Sequence, residues 1–368
     1  MTLAGLRIGL LTASASRAGG GVFEAVVQQA ALIRDCGGEA VVFALDDEHA
    51  VRDRGRFGDA PVHHFAVRGP RQIGWAPGMT AALVAAELDL LHLHGIWMYP
   101  SRAGERWATA TDKPYIISPH GMLDPWITAR GQGKKALARF GYERASWHRA
   151  AALHALTKME AGDIASEARR TDSLVIPNAA PAAGPARGAP SRDLVYLGRI
   201  HPKKNLEALI AAWRGLAPTD ARLTIAGWGA AADVAALEAT VAAAGDSSVR
   251  FVGAMHGAAK AKLLDEARAL VLPSFSEGLP MVVLEAWAAG TPTIMTTDCN
   301  LSEGFEAGAA IACGHEPASI GAALAAVLAM SDDAWRERST AALALAAGPF
   351  SAATVAARWI DAYRRFTV

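Results

Sequence analysis

Short apolar runs alternate with stretches of helical length along nearly the whole chain, and the alternation starts afresh once. Residues 6–12, 39–45, 62–67, 90–94, 115–118, 152–156 and 174–176 read as strands. Helical stretches lie between most of them. Residues 22–36 place Val22, Val26, Ala30 and Ile33 at helical spacing and stop at Gly37-Gly38, and residues 79–87 and 101–109 follow the same logic. A second set begins at 194–197 and continues through 222–226, 249–252, 269–272 and 293–295, with helices at 206–213 and 281–289. Several runs are apolar throughout, as strands buried on both faces are. The expected fold class is therefore α/β, with two Rossmann-like, doubly wound parallel sheets. Residues 179–191, Ala-Ala-Pro-Ala-Ala-Gly-Pro-Ala-Arg-Gly-Ala-Pro-Ser, have no apolar period and read as the linker. The domains expected are 1–180 and 192–350, which suits a length of 368 residues.

Charge and cysteine usage narrow the function. Lys+Arg and Asp+Glu are both 36, so the chain has no electrostatic footprint for nucleic acid. Cys36, Cys299 and Cys313 form no Cys-x-x-Cys pair, which argues against zinc or a disulfide framework and for a reducing, cytoplasmic compartment. No run is expected to reach the length of a membrane span; the longest candidate is 320–330. His92 and His94 share one face of a strand. No carboxylate or cysteine stands near them in sequence, so they read as strand-end histidines rather than a metal pair.

Four loops carry chemistry. Gly19-Gly20-Gly21 follows the first strand, and glycine lets backbone approach a phosphate, although the spacing is not Gly-x-Gly-x-x-Gly. His120, in Ser118-Pro-His120-Gly-Met-Leu-Asp124-Pro-Trp126, directly follows a strand and so lies at the carboxyl edge of its sheet. There it can donate to a hydroxyl or stabilise charge, or simply cap the core. Gly198-Arg199…Lys204-Asn205 offers a guanidinium fork and a point charge on one strand-to-helix loop, which suits a diphosphate; exposed loop cations are the plain alternative. Phe275–Gly290 places Glu277 on a loop, Pro280 at the first helical position, and Glu285 about one turn inside the helix. The N–H groups of Leu279, Met281 and Val282 add an anion site. A glutamate that merely complements the helix dipole is the competing reading. Two carboxylates beside an anion site suggest a polyol carrying phosphate. Gly227-Trp-Gly229-Ala-Ala-Ala232 could mean a dinucleotide, but it sits on the second strand of its domain and no acid ends strand 249–252.

Glu277 and Glu285, inside Ser-Glu-Gly-Leu-Pro…Leu-Glu-Ala…Gly-Thr-Pro, resemble the paired-glutamate motif of retaining glycosyltransferases of the GT-B fold, family 4. Gly20-Gly21-Val22-Phe23-Glu24, the Pro177-Asn178 junction and Gly198-Arg199…Lys204-Asn205 are similar to elements of that family, though Ala179 stands where the family usually has glycine. His120-Gly-Met-Leu…Pro125-Trp126 resembles the signature of a subset that builds bacterial surface polysaccharides. The resemblance implies two domains facing a central cleft, with the C-terminal helix 353–368 packing back on the first. It implies transfer, with retention, of a sugar from a nucleotide diphosphate sugar to a glycan or lipid-linked acceptor, in polysaccharide, lipopolysaccharide or exopolysaccharide synthesis. His120 and Glu277 would act at the reacting sugar. Arg199, Lys204, Gly20, Gly21 and the Gly278-Leu279-Pro280 turn would hold the diphosphate, and Glu285 the ribose. No cofactor is implied, and with no Asp-x-Asp triplet no metal is expected. Residues 134–149, with Lys134, Lys135, Arg139, Arg144 and Arg149 among Phe140, Tyr142 and Trp147, could make peripheral contact with the inner face of an anionic membrane, or form a solvated face over a core stripe. A non-hydrolysing sugar-nucleotide epimerase and an NAD-dependent dehydrogenase are the alternatives.

Overall fold

The computed structural model describes residues 2–129, 131–243 and 247–367; Met1, Val368 and the Trp126 side chain, all named above, lie outside this set. The chain divides into one unit of Met1–Pro177 with Ala356–Val368 and a second of Asn178–Val355.

The first unit is built on β1 (Arg7–Thr12), β2 (Glu39–Leu45), β3 (Val62–Phe65), β4 (Leu90–His94), β5 (Tyr115–Ser118), β6 (Ala152–Ala155) and β7 (Leu174–Val175). All pairings are parallel, in the order β3-β2-β1-β4-β5-β6-β7. The sheet is thus wound outward in both directions from β1, with the crossover helices Gly21–Asp35, Met79–Ala85 and Tyr99–Thr111 between successive strands. Leu11, Val41, Phe43, Leu93, Trp107 and Ile117 are fully or almost fully buried in its core.

A buried polar chain ties the end of the sequence to this sheet. His154 Nε2 is 2.7 Å from the Ile176 carbonyl, which can only accept, so that nitrogen carries the proton. His154 Nδ1 then accepts from Ser118 Oγ (2.7 Å), and Ser118 accepts from His92 Nε2 (2.7 Å). The bare His92 Nδ1 accepts from the Tyr363 hydroxyl (2.9 Å), which accepts from Gln29 Nε2 (2.6 Å). One orientation of protons satisfies every member, as a buried network must be. Trp359 packs 5.0 Å from the His92 ring and 4.6 Å from that of His154. Arg364 donates to the carbonyls of Thr2 and Ala4, which secures the last turns of the chain.

The second unit contains β8 (Leu194–Ile200), β9 (Leu223–Gly229), β10 (Val249–Phe251), β11 (Ala269–Leu272), β12 (Thr293–Met295) and β13 (Ala310–Ala312), all parallel in the order β10-β9-β8-β11-β12-β13. The strand β13 and the helix Asp332–Ala347 were not foreseen from sequence. The proline- and glycine-rich linker is irregular but not loose. Gly184 N donates to Ala288 O (2.7 Å), Ala180 N donates to Phe350 O (2.7 Å), and Arg187 reaches Ala289 O and Thr291 Oγ1.

Within Asp332–Thr367 one 18-residue window is apolar enough for a membrane span, with a mean hydropathy of 1.5, although no such run was expected. Asp332–Thr367 comprises two helices, Asp332–Ala347 and Ala352–Thr367. Trp335, Ala342 and Ala346 are buried in the second unit, and Trp359 and Tyr363 in the first. Of that apolar window, 28% is buried.

Replacing Tyr363 with Phe removes two partners at once and leaves His92 Nδ1 and a Gln29 N–H buried and unpaired. The expected loss is about 1–3 kcal/mol of stability, read from urea unfolding. Burial also pushes His154 down to about 4 and His92 well below 6.5. The unfolded chain therefore binds protons that the folded chain refuses between those values. Stability is complete above the unfolded value of 6.5 and drains as pH falls toward about 4. Unfolding midpoints independent of pH across this window would contradict the arrangement.

Candidate functional site

In the second unit the strand order reverses between β8 and β11. Chains leaving those two strands cross to opposite faces and leave a crevice at the carboxyl edge, where open parallel sheets take ligands. Lys204 ends the short turn Pro202–Lys204 after β8, and Glu277 lies on the loop after β11. Lys204 Nζ and Glu277 Oε1 form an ion pair, with the two residues 9% and 8% exposed. Neighbouring loops are stitched to it. Phe275 N donates to Lys203 O (2.9 Å), Glu277 N to Asp298 O (2.9 Å), and Asn300 Nδ2 to Glu277 O (2.5 Å). Asn205 and Asn300 both adopt left-handed conformations, which asparagine tolerates, at the turns flanking the pair.

The helix after Glu277 runs Met281–Ala288, and Pro280 is its N-cap, not its first residue as expected, because its ψ of 102° is extended. The N–H groups of Met281 and Val282 have no acceptor within the helix. At the other end Gly290, with φ of +69°, and Thr291 donate to Trp287 O and Ala286 O, a closed Schellman turn. A Cβ added at Gly278 would meet nothing within 4 Å, so the turn Gly278-Leu279-Pro280 borders open space.

One expectation needs correction. Arg199 is not on the loop; it lies within β8, exposed, and in register with Trp228 of β9. Pairing extends that far because Gly227 and Gly229 have no side chains. A Cβ at Gly227 would stand 1.8 Å from Gly198 O, and one at Gly229 2.3 Å from Ile200 O. Close approach of two strands therefore accounts for Gly-Trp-Gly without a dinucleotide. The two glutamates have different lysine partners. Glu285 Oε1 is 2.6 Å from Lys260 Nζ, while its Oε2 is buried without a partner. Lys260, on helix Gly257–Glu266, carried no sequence signal, because only tertiary packing brings it to a residue 25 positions away. A cavity of about 630 Å³ adjoins Lys260 and Glu285.

In the first unit the order reverses between β1 and β4. The glycine loop after β1 is held rigidly. Asp47 accepts from Ser14 Oγ (2.8 Å), Ser16 Oγ (2.7 Å) and His49 N (2.9 Å). Burial alone would raise the Asp47 carboxyl, but these bonds outweigh it and hold it below the usual range. Asp53 accepts from Arg17 N (2.8 Å) and pairs with the Arg17 guanidinium. Gly20 has φ of +55° and ψ of −129°, a conformation open to glycine, and caps helix Gly21–Asp35. A Cβ at Gly20 or Gly21 would meet nothing within 4 Å.

His120 follows β5 in a left-handed conformation, φ +54°, and its Nε2 lies 3.0 Å from His94 Nδ1. Glu160 pins the turn by accepting from Gly121 N (2.6 Å) and Leu156 N (2.8 Å). Burial drives His120 down to about 3, so the imidazole is neutral. Trp97, also left-handed at φ +78°, is gripped at both ends of its peptide. Its N–H donates to Glu143 (2.5 Å) and its carbonyl accepts from Tyr142 (3.0 Å). Those residues sit on a π-helical segment, Arg139–Glu143, between helices Gln132–Ala138 and Arg144–Arg149. Burial pushes Glu143 up to about 7. The same basic stretch leaves Leu137 75% and Phe140 87% exposed, with Lys134 and Arg144 exposed beside them.

The structure thus gathers Lys204, Glu277, Gly278, Leu279 and Pro280 at one sheet edge, with Arg199 next to the last residue of β8 and Glu285 about one turn into the helix Met281–Ala288, paired with Lys260. Gly20, Gly21 and His120 lie along the edge of the other sheet. Among the described residues no cluster of three or more His, Cys, Asp or Glu could hold a metal ion.

Comparison with known proteins bears on this geometry. Residues 20–179 match the family model "Glycosyl transferase 4-like domain" and residues 191–330 match "Glycosyl transferases group 1". An O-antigen chain mannosyltransferase B from Escherichia coli is 28% identical over 46% of this chain and 45% of its own length. A glycogen synthase from Mycobacterium tuberculosis is 34% identical over 50% of this chain and 43% of its own length. The matched stretch is thus less than half the length of either relative. Among solved structures, HepE of Anabaena in complex with UDP superposes with a TM-score of 0.81 at 17% identity, covering 98% of this chain and all of that one. The fold is the GT-B fold of these structural neighbours.

Truncating one member of the Lys204–Glu277 pair strands the other as a buried charge. Lys204→Met and Glu277→Gln should each cost about 3 kcal/mol or more in urea unfolding, and the double variant less than their sum. Strict additivity would show the two side chains to be independent.

Proposed function

We propose, from the premise that the two halves of this chain match glycosyltransferase family models, that it moves a sugar from a nucleotide diphosphate sugar to an acceptor hydroxyl with retention at the anomeric carbon. The observation that carries this reading is the Lys204–Glu277 pair at the reversal point of its sheet, beside the uncommitted N–H groups of Met281 and Val282. Breaking the sugar–diphosphate bond sends an electron pair to the diphosphate oxygen. Lys204 and the helix N-terminus are preorganised donors for that charge, and Arg199 is a further cation. Released by the diphosphate, Lys204 frees Glu277 to hold the donor sugar. The acceptor oxygen bonds to the anomeric carbon on the face just vacated, and its proton passes to the departing phosphate. Neutral His120 offers one N–H to a sugar hydroxyl, Gly20 and Gly21 leave room for phosphate, and Glu285 is assigned to the ribose.

HepE, crystallised with UDP and with UDP-glucose, supports a nucleotide-sugar donor; the relative named as a mannosyltransferase of O-antigen chains supports a glycan acceptor. The chemistry set out here needs no cofactor and no metal. An epimerase would convert the donor with no acceptor present. A cytoplasmic protein touching the inner leaflet through Leu137, Phe140, Lys134 and Arg144 suits a lipid-linked acceptor.

Lys204→Ala and Glu277→Ala should each lower turnover about a hundredfold or more; near-normal turnover in either removes its assigned role. Calorimetry should show binding of UDP or GDP and none of NAD. Binding to anionic vesicles should be salt-sensitive and should weaken in Phe140→Ser.

A further inference from the structure

The loop that leaves β13 places His315 between the two turns that carry the Lys204–Glu277 pair. Its carbonyl accepts from Asn205 Nδ2 (2.8 Å), and Asn205, left-handed at φ +58°, directly follows Lys204. Its imidazole Nε2 lies 3.0 Å from Asp298 Oδ2, at ion-pair distance but off the line of a hydrogen bond. The carbonyl of that same Asp298 accepts the N–H of Glu277 (2.9 Å). The His315 ring also packs on Phe275, two residues before Glu277, with centroids 4.8 Å apart and planes inclined by 34°. Phe275 N in turn donates to Lys203 O (2.9 Å). One residue thus braces the turn after β8, the loop after β11 and the turn Thr297–Cys299 after β12.

Exposure separates bracing from stabilisation. The His315 and Asp298 side chains are 35% and 45% exposed, and an ion pair that open adds little to stability. The Lys204–Glu277 pair is nearly closed to water, so its interaction depends steeply on geometry. Glu277 hangs from the Asp298 carbonyl through its own N–H, so a shift of the turn Thr297–Cys299 moves its carboxylate. We propose that His315 is a positioning residue for Glu277: its imidazole fixes Asp298 and Phe275, and through them the carboxylate assigned to the donor sugar. This rests on the transferase reading above and deepens it, since it makes the sugar-holding geometry depend on a residue outside the pair. The contact with Asp298 needs a proton on Nε2, because a carboxylate only accepts. The side chain acts on the Glu277 arm alone. The Lys204 arm is held by the His315 carbonyl, which any residue supplies.

The test compares His315→Phe, which keeps a ring against Phe275 and loses the donor, with His315→Gln, whose amide N–H stands in for Nε2. Calorimetry on the whole protein measures UDP against UDP-glucose and GDP against GDP-mannose. In His315→Phe the sugar nucleotide that the parent binds should weaken about tenfold or more, with its nucleoside diphosphate unchanged, and His315→Gln should recover most of the loss. A second readout needs no ligand. The coupling between Lys204→Met and Glu277→Gln in urea unfolding should shrink in the His315→Phe background and persist in His315→Gln. A residue that only glues loops together would lower the unfolding midpoint and leave that coupling alone. Equal losses for nucleotide and sugar nucleotide, His315→Gln behaving like His315→Phe, or an unaltered coupling in His315→Phe overturns the inference. If the parent binds no nucleotide, the transferase reading falls and the unfolding cycle alone decides the role of His315.

Discussion

A parallel sheet wound in both directions from its first-laid strand leaves a gap where the two crossovers part. The placement of the functional groups in this chain depends on that gap. In the second unit it lies between β8 and β11, and in the first between β1 and β4. Strand ends supply rigid anchors, diverging loops supply room, and helix N-termini supply unpaired N–H groups. Lys204 and Glu277 come from strands adjacent in space but 73 residues apart in sequence. No local propensity could bring them together.

Their pairing is informative because it is not a good way to stabilise a protein. Two charges taken from water into a nearly closed position gain little over apolar neighbours, and they cost much if separated. Under the proposed function, a diphosphate that competes for Lys204 would turn this liability into a means of exposing Glu277. The histidines of the first unit follow the same economy in a neutral form. His92 and His154 belong to a satisfied chain that fastens Tyr363, whereas His94 differs by one unpartnered nitrogen. Three imidazoles, similar in burial, therefore differ in their bonding.

Much of this was legible in the order of residues. Apolar runs of strand length marked β1, β2, β4, β5 and β11 because parallel strands covered on both faces have no polar side to disguise them. The short β13 and the alanine-rich helices Pro317–Leu328 and Asp332–Ala347 escaped notice, since alanine contrasts weakly with either environment. Glu277, Lys204 and His120 were visible as polar residues placed just beyond apolar runs. Lys260 and His315 were not, because their significance lies in what packs beside them. Gly227 and Gly229 looked like a ligand motif and proved necessary for strand contact, an ambiguity that sequence cannot resolve because glycine serves close approach of any kind.

Sequence alone determined the fold class, the two-part organisation and the loops able to carry chemistry, because each is written in local periodicity and in residue types at strand ends. Only tertiary structure decided that Arg199 belongs to a strand, that each glutamate holds its own lysine, and that His94 keeps a nitrogen unpaired. Those facts depend on the separation of groups distant along the chain, and that separation is set by how whole sheets and helices pack.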